Sequence, residues 1–139
     1  MIATDALASG VDTLRLSLHI LAACVWIGGQ IVVAGLLPTV RGFGDDAPRK
    51  IARAFARLSW PAFVVLIATG IWNVAALKNG DGSHSWAAVM GAKYMVVLLS
   101  GALVIVHTVA KSPKVKGASA GIALLASLAA MVLGVVLAG

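Results

Sequence analysis

Two stretches of this chain set chemically capable side chains at helical spacing within otherwise apolar sequence. The first carries His19, Trp26 and Gln30, and the second carries Lys93, Ser100 and His107. At 100° per residue, positions seven and eleven beyond His19 return to within about 20° of it, so the first trio forms one stripe. Lys93, Ser100 and His107 stand seven apart and drift only about 40° over four turns. A third apolar stretch adds Thr69 and Asn73 on one face, and a fourth offers little beyond Ser127 and many small residues. Polar groups at such positions are expensive in hydrocarbon, so each stripe is expected to face an interior and to mark function. Neutral imidazole binds both iron and copper, which makes His19 and His107 candidate metal ligands. Trp26, Gln30 and Lys93 would line a cofactor pocket with His19.

Each candidate also has a purely structural reading. His19 is either a buried neutral imidazole hydrogen-bonded to a carbonyl or Gln, or a haem or copper ligand. His107 is either an interfacial residue or a second ligand. Lys93 either extends its ammonium to the headgroups or pairs with a carboxylate, such as a haem propionate or a substrate. Met90, Met95 and Met131 could offer thioethers to Cu(I), though scattered membrane methionines usually pack. The single cysteine, Cys24, reads as a small buried apolar residue, with no disulfide or CxxC motif in reach. His84 reads as loop surface, Trp72 and Trp86 as an outer aromatic belt, and Trp60 as an inner one. No phosphate-binding Gly-rich loop, catalytic triad or HExxH motif is present, so soluble-enzyme chemistry is not expected.

The elements that position these residues follow from composition. The 139 residues are 60% hydrophobic and 12% charged, with a mean hydropathy of +0.99, where a soluble domain carries about a quarter charged residues. Four apolar runs, approximately 14–40, 58–77, 86–110 and 118–138, are each long enough for a hydrocarbon core about 30 Å thick. They must be helices, because a helix pairs its own backbone groups in lipid, and they lack the alternation of a transmembrane barrel strand. The expected fold is therefore an all-α, integral membrane four-helix bundle in one transmembrane domain, with antiparallel neighbours. The first run has no basic leader or small-residue cleavage pattern and reads as a span, not a signal peptide. Pro38 is expected to help end the first helix and Pro61 to sit in the first turn of the second.

Orientation follows from the cations. Arg41, Arg49, Lys50, Arg53 and Arg57 lie between the first and second runs, and Lys111, Lys114 and Lys116 between the third and fourth. The other side has Lys78 with Asp81, and Asp5, Asp12 and Arg15 near the N-terminus. The positive-inside rule puts both termini outside. The net charge of +6 is then juxtamembrane, with Arg49 to Arg57 a basic amphipathic stretch at the inner headgroups. A lipid bilayer is the expected partner and nucleic acid is not. Small residues from Gly121 through Ala126 and Ala130 to Gly134 would permit helix contact within the bundle, in a homo-oligomer, or with partners in a larger membrane complex. In this orientation His19 and Lys93 share an outer layer. His107 lies fourteen residues beyond Lys93, about 21 Å at 1.5 Å per residue, so the two histidines of one chain cannot share a metal or haem.

The run LHILAACVWIGGQIVVAGLLPTVR (Leu18 to Arg41) resembles the first helix of bacterial copper-resistance D (CopD-like) membrane proteins, with His19, Trp26, Gly28 and Gly29 in matching places. RLSWPAFVVLIATGIW (Arg57 to Trp72) and GAKYMVVLLSGALVIVH (Gly91 to His107) resemble the next two helices of that family. The pattern is also similar to HemJ-type protoporphyrinogen oxidases, four-helix haem proteins, through His19, Trp26, Lys93 and His107. It departs from them after the Gly pair, where this chain reads GLLPTVRG. The resemblance implies a multi-pass protein of the bacterial cytoplasmic (inner) membrane that handles copper or haem b near the outer face. The HemJ-like alternative implies an oxidase passing electrons to quinone.

Overall fold

The computed structural model describes residues 9–77 and 83–138. It is all-α: four helices, each long and apolar enough to cross a membrane, run over Gly10–Arg41 (α1), Ala47–Ala75 (α2), His84–Val109 (α3) and Pro113–Ala138 (α4). Asp5, Lys78 and Asp81, used above for orientation, lie outside the described residues.

Helix ends follow local chemistry. Ser9 caps α1, its hydroxyl accepting from the Asp12 amide at 3.1 Å and donating to the Asp12 carboxylate at 2.7 Å. That reciprocal cap starts α1 four residues ahead of the expected Leu14. Ser83 caps α3 in the same way, accepting from the Trp86 amide at 3.2 Å. Pro113 opens α4, where its missing N–H would be unpaired anyway.

Four expectations are corrected. The second helix begins at Ala47, not near Leu58, because Arg49–Arg57 continues it for three turns without a break. Ala, Arg, Lys and Leu dominate that segment and all favour helix. Pro61 consequently sits in the interior of α2, not in its first turn. Pro38 does not end α1, which runs on to Arg41. Cys24 is exposed, not buried, on the outward side of α1.

The bundle is two helical hairpins. α1 packs on α2 and α3 packs on α4, while the hairpins meet mainly at mid-height. There α1 is interrupted by one π-helical segment, Cys24–Gly28, which approaches α4. Such a segment inserts an extra residue into an α-helical turn and frequently marks a functional position. On α4 the buried residues Ser119, Ala123, Ala126, Ser127 and Ala130 form a small-residue stripe that lets its neighbours come close. The core is correspondingly slight, with Ala22, Trp26 and Leu66 at its centre. Trp60 belongs to this centre, not to an inner aromatic belt. Its ring meets Trp26 edge-on at 5.6 Å and Phe63 at 5.8 Å, and Phe63 lies 4.3 Å from Trp26. Leu21, Val64, Met95 and Leu125 project outward, one from each helix, as contact with lipid tails requires.

Candidate functional site

Apart from His107, the polar residues of the two stripes fall in two layers of the bundle. The lower layer is at mid-height. Trp26, 2% exposed, donates its indole N–H to Ser100 Oγ at 3.1 Å. Ser100 and Ser127 hydroxyls are 2.6 Å apart, and Gln30 Nε2 donates to Ser127 Oγ at 3.2 Å and to the Trp26 carbonyl at 3.0 Å. Ser127 spends its own proton on the Ala123 carbonyl at 2.9 Å. A hydroxyl has one donor and two acceptor positions, so the directions are fixed. Ser127 accepts from Gln30 and Ser100, and Ser100 accepts from Trp26. The network ties α1, α3 and α4 together with its hydroxyls satisfied. Beside it lies a cavity of about 20 Å³ between Trp26, Leu66, Val97 and Ala130, room for about one water.

The upper layer lies two turns nearer the N-terminal end of α1. His19 Nδ1 is 2.9 Å from Thr69 Oγ1. Thr69 donates its single proton back into its own helix, to the Val65 carbonyl at 2.7 Å with a longer branch to Leu66 at 3.2 Å. The threonine oxygen can therefore only accept, so Nδ1 carries the imidazole proton and Nε2 presents a lone pair. Lys93 reaches the same depth by register. α1 and α3 are parallel and pinned at Trp26–Ser100, and His19 and Lys93 each precede that bond by seven residues. α4 runs the other way, so Gly134, seven beyond Ser127, completes the layer. A Cβ placed at Gly134 would come within 3.1 Å of Lys93 Nζ. Lys93 is half-buried, with its ammonium beside α4.

Two residues that sequence reasoning left out of the site stand one turn further out. Arg15, four residues before His19, pairs with Asp12 at 2.9 Å with its side chain only 12% exposed. Asn73, four beyond Thr69, lies opposite it in the antiparallel register of α1 and α2. Arg15 Nε and Asn73 Oδ1 are both buried without a hydrogen-bond partner. Arg15 was legible only as a flanking cation, yet its spacing from His19 puts it on the same stripe.

His107 belongs elsewhere. Its Nδ1 bonds the Lys116 carbonyl at 2.8 Å, tying the end of α3 to the start of α4. Fourteen residues separate it from Lys93, about 21 Å of helix, so it joins no site with His19. His84 is exposed at the start of α3. Met95 and Met131 face outward, 69% and 49% exposed. Among the described residues no three His, Cys, Asp or Glu side chains converge. No protein-family description, characterised protein or solved structure matches the chain.

Proposed function

We propose that this is a CopD-like multi-pass membrane protein that binds haem b through His19, near the outer face of a bacterial inner membrane. The observation that carries this reading is the His19–Thr69 bond. An imidazole held by its Nδ1–H, on a partner that is itself anchored to backbone, offers Nε2 in a fixed direction. This is the arrangement by which proteins orient a metal-ligating histidine. The surrounding donor set fits haem better than a bare copper ion. One imidazole stands with the Lys93 ammonium in its layer and the Arg15 guanidinium one turn further on, cations suited to propionates, while Met95 and Met131 face away. Bound haem would supply one-electron chemistry. His19 would hold it, Thr69 would fix the ring, and the Trp26–Ser100–Ser127–Gln30 network would hold the helices in register beneath it.

A second reading, a HemJ-like protoporphyrinogen oxidase, is favoured by one observation: His19, Trp26 and Lys93 share one seam. His107, at the opposite end, does not join them.

The test is an absorption spectrum of the detergent-purified protein from cells supplied with haem, oxidised and then reduced with dithionite, together with metal analysis. The expected result is a Soret band that shifts on reduction and is lost in His19→Ala, with the variant still monodisperse and helical. A featureless spectrum with stoichiometric copper that depends on His19 would replace haem by copper. Haem retained by His19→Ala would overturn the site. Turnover of protoporphyrinogen would decide for the oxidase.

A further inference from the structure

The outer layer carries more positive charge than it neutralises. Arg15 and Lys93 bring two cations, and Asp12 returns one negative charge through its 2.9 Å bridge to Arg15. Asp12 is also held by Ser9 at 2.7 Å, at the exposed edge of α1. Lys93 has no acidic partner among the described residues. A charge held within the span, half-buried and folded inward against Gly134, demands a counter-charge. One turn from this layer, two buried polar atoms are also left over: Arg15 Nε, a donor, and Asn73 Oδ1, an acceptor. A buried side-chain polar atom without a partner is uncommon, and two at one level offer a donor and an acceptor to a polar group from outside the chain.

We propose that this layer is an oxyanion subsite, in which Lys93 and Arg15 grip a carboxylate of the ligand that His19 holds. The identity of the ligand rests on the His19 reading; the charge of the subsite does not. Lys93 gives a point charge with three donors, and the Arg15 guanidinium adds a directed N–H at Nε. Asn73 completes the ring of polar groups, accepting a proton where the acid is protonated or through a bridging water. Such a subsite would select acids, whose charge meets the Lys93 and Arg15 cations. A neutral ligand of the same shape would leave the Lys93 charge unpaired, and the subsite thereby discriminates against it.

The test uses metal-free protoporphyrin IX and its dimethyl ester, which have no iron for His19 to bind, with the full chain in neutral-lipid nanodiscs. Binding is read by tryptophan fluorescence quenching. The free acid is expected to bind at least about tenfold more tightly than the ester, the step that one good charge-assisted contact gives. Lys93→Met should reduce that ratio to about twofold or less, Arg15→Met should reduce it in part, and Lys93→Arg should retain it. Acid and ester binding alike to the unaltered protein would overturn the subsite. A preference erased when phosphatidylglycerol is added would assign the layer to a lipid phosphate and overturn the carboxylate. The His19 reading fails separately, if iron protoporphyrin shows no His19-dependent Soret shift while the acid-over-ester preference persists.

Discussion

Thr69 is the residue on which the orientation of His19 depends, and its role is of a kind that composition cannot announce. Threonines are common in membrane helices, where they return their proton to the carbonyl one turn back. Thr69 does this through Val65, and the direction of that bond is what forces His19 to donate. Replacing Thr69 by Val keeps the shape and removes the acceptor. The imidazole then loses its fixed tautomer, and affinity for the His19 ligand is expected to fall about 10- to 100-fold, as when other orienting partners are removed. Titration of iron protoporphyrin into Thr69→Val, with the thermal midpoint as a folding control, checks this. Unchanged affinity would mean that His19 is oriented by packing alone. The stripe of His19, Trp26 and Gln30 was legible because seven- and eleven-residue spacing returns to one helix face. Asn73 was legible only as the companion of Thr69 on one face and Arg15 only as a flanking cation, because their importance lies in bonds they fail to make. A missing partner is visible only once the neighbours are in place.

At the scale of elements, the four helices were readable from hydropathy, but their ends were not. Hydropathy marks where lipid begins, whereas a helix ends where its backbone loses partners. Arg49 to Arg57 are therefore helical though charged, and Pro38 and Pro61 are tolerated inside helices they were expected to bound. Helix-to-helix contact was equally hidden in the glycines. Most of the described ones have open space where a Cβ would go, but Gly101 does not. A Cβ there would come within 2.7 Å of the Phe63 ring. Phe63 cannot easily give way, since Trp26 and Trp60 bracket it. Gly101→Val should therefore lower stability by about 1–3 kcal/mol, the usual cost of overpacking. Gly121→Val, facing open space, should leave the melting temperature in detergent nearly unchanged. Equal melting temperatures for the two variants would show that α2 and α3 do not meet through Phe63.

For the molecule as a whole, the decisive asymmetry is charge. Arg41, Arg49, Lys50, Arg53 and Arg57 gather with Lys111, Lys114 and Lys116 at one end of the bundle, against Asp45 and Asp46. The long basic start of α2 strengthens the case, because it displays these side chains on a rigid helix beside the span: Arg49, Lys50, Arg53 and Arg57 are all exposed. The positive-inside rule predicts that this end stays in the cytoplasm, with the His19 layer toward the other face. Single cysteines in a Cys24→Ser background test the orientation in spheroplasts of the expressing bacterium. Ser83→Cys, in the connection leading into α3, should react with a membrane-impermeant maleimide without lysis. Asp45→Cys, between α1 and α2, should react only after the membrane is opened. The unaltered chain provides a control, since Cys24 faces lipid at the middle of its span and should resist the reagent in both conditions. The reverse pattern would invert the bundle, and any ligand of His19 would then be delivered and reduced from the cytoplasm. With the expected pattern, the layer that holds Lys93 lies toward a compartment from which an acid-bearing ligand can enter without crossing the membrane.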